Sequence, residues 1–216
     1  MCFLEIIKRG WHNGTASACR ADLWEFDSPP ALFNMKKVFL IHGWGGTGEG
    51  GWFDWLKNEL KGKARVTGFD MPDTNKPKIE NWVGFLERNV KSIDKETYFV
   101  GHSIGCQTIL RFLEKLPKNV KIGGCAFVAG WFNLKGLEKN EIDIAKPWLE
   151  TPMNFEKIKM HCNKFLALFS DNDPYVPLSD SKIFKEKLGA KVIVKHNEEH
   201  FNAAQEMPEI IDFIGE

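Results

Sequence analysis

The sequence predicts an α/β fold, a mostly parallel sheet with helices on both faces. Two observations carry that reading. Short apolar runs built on Val, Ile, Leu and Phe recur at 37–41, 65–69, 97–100, 122–128, 164–169 and 191–195. Between most of them lie segments whose apolar residues recur at three- and four-residue steps, the spacing of a helix with one buried face. With 216 residues the chain is long enough for one ordinary domain with a real core.

The elements follow in order. Residues 1–34 hold Trp11, His12, Asn13, Gly14 and Pro29-Pro30 with no sustained periodicity, so they read as a weakly ordered extension. Met35-Lys36-Lys37 leads straight into the first strand, and the folded domain is expected to span 35–216. Trp52, Trp55, Leu56 and Leu60 mark a helix face, and Ile79, Trp82, Val83, Leu86 and Val90 mark another after the second strand. Cys106, Ile109, Leu110 and Leu113 place a helix directly after the third strand. Residues 130–160, with Trp131, Phe132, Leu134, Pro147, Trp148 and Pro152, read as irregular. A helix is expected at 179–188, and Ala203, Ala204, Met207, Ile211 and Ile214 mark the closing one. In such sheets ligands meet the carboxyl ends of the strands.

Gly101-His102-Ser103-Ile104-Gly105 falls between the third strand and its helix. A strand–Gly-x-Ser-x-Gly–helix run is the nucleophile elbow of α/β-hydrolases, so the expected fold narrows to that class. The turn is sharp enough that the residues two places to either side of Ser103 must be small. A serine hydroxyl is a weak nucleophile until a base takes its proton and a third group orients the base. In this fold the chain order is Ser, acid, His. Asp171 and Asp173 compete for the acid; Asp173 is favoured because it precedes the turn Pro174-Tyr175-Val176-Pro177 into the next helix. For the base, His200 is favoured, in the loop after the last strand and beside Phe201-Asn202, a plausible helix entry. His196 is its rival, and His161 precedes the acid, out of order. Donors for a developing oxyanion are expected from the amide of Ile104 and that of Trp44 in the glycine-rich loop after the first strand.

Composition narrows the rest. Lys plus Arg and Asp plus Glu number 29 each, and no basic stretch is interleaved with aromatics, so nucleic acid and anionic membranes find no support as partners. No apolar run approaches a transmembrane length, and the first residues lack the pattern of a secretory signal. The five cysteines are odd in number, widely spaced and without a metal-ligand pattern; they read as reduced thiols of a cytoplasmic protein. Neither a metal nor an organic cofactor is expected.

A rival reading comes from the first loop. Gly43-x-Gly45-x-x-Gly48 follows a strand and Asp70 ends the next, which spells the dinucleotide fingerprint of an oxidoreductase. That fingerprint needs its helix to start inside the glycine turn, whereas here Gly50-Gly51 intervenes and Trp44 crowds the turn. Asp70 is then expected to end a strand and cap a turn.

The stretches Ile41-His42-Gly43-Trp44-Gly45-Gly46, Trp52-Phe53-Asp54-Trp55-Leu56, Asp70-Met71-Pro72, Asn81-Trp82, Gly101–Gln107 and His200-Phe201-Asn202 resemble the retinoblastoma-binding protein 9 / YdeN family of small serine hydrolases. The resemblance covers about residues 36–216 in order. It implies a compact α/β-hydrolase with a minimal lid, a triad on Ser103, Asp173 and His200, and hydrolysis of carboxylic esters or amides. The Leu-x-Cys-x-Glu segment behind the family's name is absent, so that partner is not carried over. A small acyl compound is the expected substrate. Trp131, Phe132 and Trp148 can line an acyl pocket with Trp44, or belong to the core. A binding or scaffold protein on a hydrolase fold is the alternative from another class. Oligomeric state is not legible.

Overall fold

The computed structural model describes residues 35–216; the extension expected over 1–34 lies outside them. Six strands form one sheet: β1 (Lys36–Ile41), β2 (Ala64–Phe69), β3 (Thr97–His102), β4 (Gly124–Val128), β5 (Phe165–Ser170) and β6 (Lys191–Lys195). Their order across the sheet is β2-β1-β3-β4-β5-β6, and every pairing is parallel. Register aligns the strand ends: Ile41 pairs with Gly101, and His102 with Val128. The residues that follow β1, β3 and β4 therefore leave the sheet side by side.

Burial explains why the strands read as unbroken apolar runs. All of β4 and β5 is buried, whereas β6 at the edge is half-exposed. Neighbours on a strand face opposite ways. Phe99 packs on Phe112, which belongs to α3 (Ile104–Lys115), whereas Tyr98 meets Phe213 of the last helix, so those helices cover opposite faces. Helix α3 is buried continuously from Ile104 to Leu113, as a helix wedged between sheet and neighbours must be.

Helices α1 (Gly51–Glu59) and α2 (Ile79–Asn89) lie where their apolar spacing placed them. The segment 130–160 does not: it holds α4 (Lys139–Glu150) and α5 (Phe155–His161). Only Ala145 and Trp148 of α4 are buried, and Ile142 and Leu149 are exposed, so no broad apolar stripe announces the helix. Pro147 stands inside it, and the residue whose carbonyl loses a partner, Asp143, is exposed to water. Asn154 caps α5 by accepting from the Lys157 amide at 3.0 Å.

The helix at 179–188 begins as α6 (Asp180–Ile183), widens into a π-helical turn over Phe184–Leu188 and stops at Gly189, φ 71°. The closing helix α7 spans only Pro208–Gly215. Proline at its first position sets the start, which leaves Ala203, Ala204 and Met207 in the preceding loop and removes the expected entry at Phe201-Asn202. Among the described residues no helix is long and apolar enough to cross a membrane.

Candidate active site

Ser103 sits between β3 and α3 with φ 52° and ψ −119°, a conformation that costs a side-chain-bearing residue about 1–3 kcal/mol. Two hydrogen bonds hold it there: its amide donates to Val128 O at 2.9 Å, and its carbonyl accepts from Cys106 N at 2.9 Å. The flanking glycines are steric requirements. A Cβ on Gly101 would lie 2.8 Å from the Cys106 nitrogen, and one on Gly105 would lie 2.8 Å from the His42 carbonyl oxygen. The one-residue turn thus brings the chain back over β1 and β3 only because neither position has a side chain.

Asp173 and His200 meet from the loops after β5 and β6. His200 Nδ1 lies 2.8 Å from Asp173 Oδ2, and Asp173 Oδ1 accepts from the amides of Tyr175 and Val176 at 2.8 and 2.9 Å. Facing a carboxylate, Nδ1 is the protonated nitrogen, so Nε2 is left as an acceptor. Burial alone would raise the Asp173 carboxyl; the bond and charge of His200, with the two amides, outweigh it and hold the group below the usual carboxylate range. Tyr175 packs edge-on to His200, with centroids 5.2 Å apart. Ser103 and His200 line one cleft of about 560 Å³, with Asp173 behind the imidazole. Among the described hydrogen bonds His200 pairs with Asp173 and His102, and none joins it to the Ser103 hydroxyl.

The rivals considered from sequence pair with each other instead. His196 Nδ1 and Asp171 Oδ2 are 2.5 Å apart on the surface, the imidazole 91% exposed. His161 is buried elsewhere, its Nδ1 2.9 Å from Val120 O.

Trp44 and Ile104 both line the cleft. As first residue of α3, Ile104 has no acceptor inside the helix, and neither amide donates to another described residue. Of the three aromatic candidates only Trp131 lines the cleft. Phe132 packs between Phe155 and Phe184, at 5.5 and 4.9 Å. Trp148 is 1% exposed, stacks edge-on with Trp82 and donates from Nε1 to Pro77 O at 3.1 Å. Trp148 belongs to the core, and Phe132 packs against it. Trp52, Leu134, Leu137, Tyr175 and Phe201 complete much of the apolar wall, a role the sequence pattern does not assign to them.

Asp180 braces the same wall from outside the cleft. It is fully buried and accepts from the amides of Phe132 and Asn133 at 2.6 and 2.7 Å and from Asn133 Nδ2 at 2.7 Å. An aspartate at a helix start reads as a cap, and nothing local marks it as the clamp of a loop that follows a different strand.

The dinucleotide geometry is not formed. Helix α1 begins at Gly51, past the glycine turn, and Gly48 packs so closely on β2 that a Cβ would lie 2.7 Å from the Gly68 carbonyl carbon. Asp70 accepts from the Gly48 amide at 2.8 Å, the turn cap expected of it. His42 is fixed between Gly43 O at 2.6 Å and the Met71 amide at 3.0 Å, and desolvation keeps its imidazole below the usual value. Cys106 is buried, and burial pushes its thiol up.

Comparison with known proteins bears on family and fold. Residues 38–212 match the family described as Serine hydrolase. YdeN of Bacillus subtilis is 29% identical over 167 residues, covering 77% of this chain and 86% of its own. Serine hydrolase RBBP9 of Rattus norvegicus is 26% identical over 177 residues, covering 79% and 89%. The crystal structure of the B. subtilis ydeN product superposes with a TM-score of 0.74 at 27% identity, covering 84% of this chain and 97% of that one. With the elbow, the parallel sheet and a family match across most of its length, the chain belongs to the YdeN/RBBP9 family of serine hydrolases, on an α/β-hydrolase fold.

Proposed function

We propose that this hydrolase cleaves carboxylic ester or amide bonds of small substrates through an acyl-enzyme on Ser103. One observation carries the reading: the strained Ser103 and a His200 whose Nδ1 is held by Asp173 line the same cleft. With Nδ1–H given to Asp173, His200 Nε2 takes the Ser103 proton as the oxygen attacks the acyl carbon. Contact between the two tightens on substrate binding, since hydrogen bonds of this kind are commonly long in an empty site. The oxyanion accepts from the amides of Ile104 and Trp44, and the amino end of α3 adds positive potential. His200 returns the proton to the leaving alcohol or amine, and water repeats the sequence to release the acid. Each step uses only side chains and amides of this chain.

The test is labelling by a fluorophosphonate probe, wild type beside Ser103→Ala, followed by turnover of p-nitrophenyl esters. Labelling of the wild type alone, with turnover falling about a thousandfold or more in His200→Ala, is the expected result. A well-folded wild type that takes up no label would overturn the reading and favour a binding protein on this fold.

A further inference from the structure

His102, the variable residue of the elbow, has no part in the reaction just described, yet it touches both the His200 loop and the loop that carries Trp44. Its Nε2 is 2.8 Å from the carbonyl oxygen of His200. A carbonyl only accepts, so Nε2 carries the proton and donates. On the other side, a Cβ at Gly43 would fall 2.8 Å from His102 Nδ1, so the loop that carries the Trp44 amide passes against the ring with no side chain between. Trp52 packs edge-on at 6.2 Å, and the His102 and His200 rings have centroids 5.0 Å apart.

The segment that His102 grips is strained. Asn197, Glu199 and Phe201 have φ of 63°, 48° and 60°, so left-handed backbone stands immediately before and after His200. Residues with side chains persist in such backbone only where the surroundings hold them. Most of the restraints come from the end of β5 and the loop after it. Ser170 Oγ accepts from Glu198 N at 3.0 Å, Asn172 Oδ1 from Glu199 N at 2.8 Å and Asp171 Oδ1 from Asn197 N at 2.9 Å. These anchor the base to the strand that also leads to Asp173. Among the described hydrogen bonds, that from His102 is the one that joins the His200 loop to the strand of the nucleophile.

We infer that His102 is a positioning residue, whose Nε2–H holds the His200 backbone at a set distance from Ser103 and so places the base for proton transfer. This rests on the roles of Ser103 and His200 proposed above. The imidazole suits the task because it stays neutral: desolvation, then the neighbouring His200, lower its pKa to about 3. A second cation beside His200 would oppose the protonated form that the reaction requires.

The experiment compares wild type, His102→Phe and His102→Gln. Phenylalanine keeps a ring without the donor; the glutamine amide nitrogen reaches close to where Nε2 lay. In His102→Phe, kcat for a p-nitrophenyl ester should fall about ten- to a hundredfold with KM within about threefold, as for a misplaced group rather than a lost binding contact. In His102→Gln most of kcat should return. A readout independent of turnover is the downfield proton resonance of His200 Nδ1–H against Asp173, which should broaden or vanish with phenylalanine and persist with glutamine. Unchanged kcat and an unchanged resonance in His102→Phe would overturn the inference, as would equal losses in both variants. If the wild type shows the resonance but turns over no ester, the esterase reading fails. The response of the resonance to the two substitutions then still decides the role of His102.

Discussion

At Ser103 and its neighbours, charge and strain are set by a few atoms, and acid should expose it. His102 is held at about 3 against the usual 6.5, first by desolvation and then by His200. The unfolded chain binds a proton there below about pH 6.5 and the folded chain does not, so stability falls as pH drops through that window. The contribution approaches about 1.4 kcal/mol for each pH unit. His42, also lowered by desolvation, acts in the same direction. Asp173, held below its usual value, keeps its stabilising contribution throughout and loses it only in stronger acid. Denaturant unfolding at about pH 7 and about pH 5 should therefore show a smaller loss in His102→Gln than in wild type. Equal losses would contradict the lowered pKa. At this scale the position of Ser103 in the elbow and the pairing of Asp173 with His200 were legible because the elbow spacing and chain order constrain them. His102 was not, since the motif treats its position as free and the His200 carbonyl it meets is 98 residues away.

Between elements, the clearest single dependence is Asp180, which joins the start of α6 to the loop after β4. Asp180→Ala leaves the half-buried Phe132 amide unpaired and gives the exposed Asn133 amide to water, and is expected to destabilise by about 1–3 kcal/mol. Because that loop carries Trp131 and leads to Leu134 in the cleft wall, KM for esters should rise more than kcat falls. Denaturant unfolding and ester kinetics check the two effects, and an unmoved KM would show that the wall does not depend on the clamp. The six strands were legible because central parallel strands are apolar on both faces. Helix α4 was hidden by its narrow buried stripe and by Pro147, and the start of α7 by apolar residues that belong to the loop before it. Tertiary packing decides the burial of α4, whereas for α7 the proline at its first position is a local signal that the apolar spacing outweighed.

For the molecule as a whole, the cleft predicts substrate choice. Its volume of about 560 Å³ and its aromatic wall suit short or medium acyl groups. Across p-nitrophenyl esters the rate should stop rising before about ten acyl carbons. A steady rise beyond that length would contradict the prediction. Among the described residues the lining includes Glu49 and Glu141 and no lysine or arginine, so a hemisuccinate ester should be a poorer substrate than its neutral isostere. Equal rates would remove the carboxylates from the account. The parallel register has a consequence for how such a protein changes over generations. Loops leaving β1, β3, β4, β5 and β6 at their carboxyl ends form the cleft, whereas the turns entering the strands lie at the other rim. Substitutions that retune substrate preference and substitutions that compensate lost stability therefore fall largely on separate stretches of chain. A lineage can explore new substrates at one rim while it repairs its fold from the other.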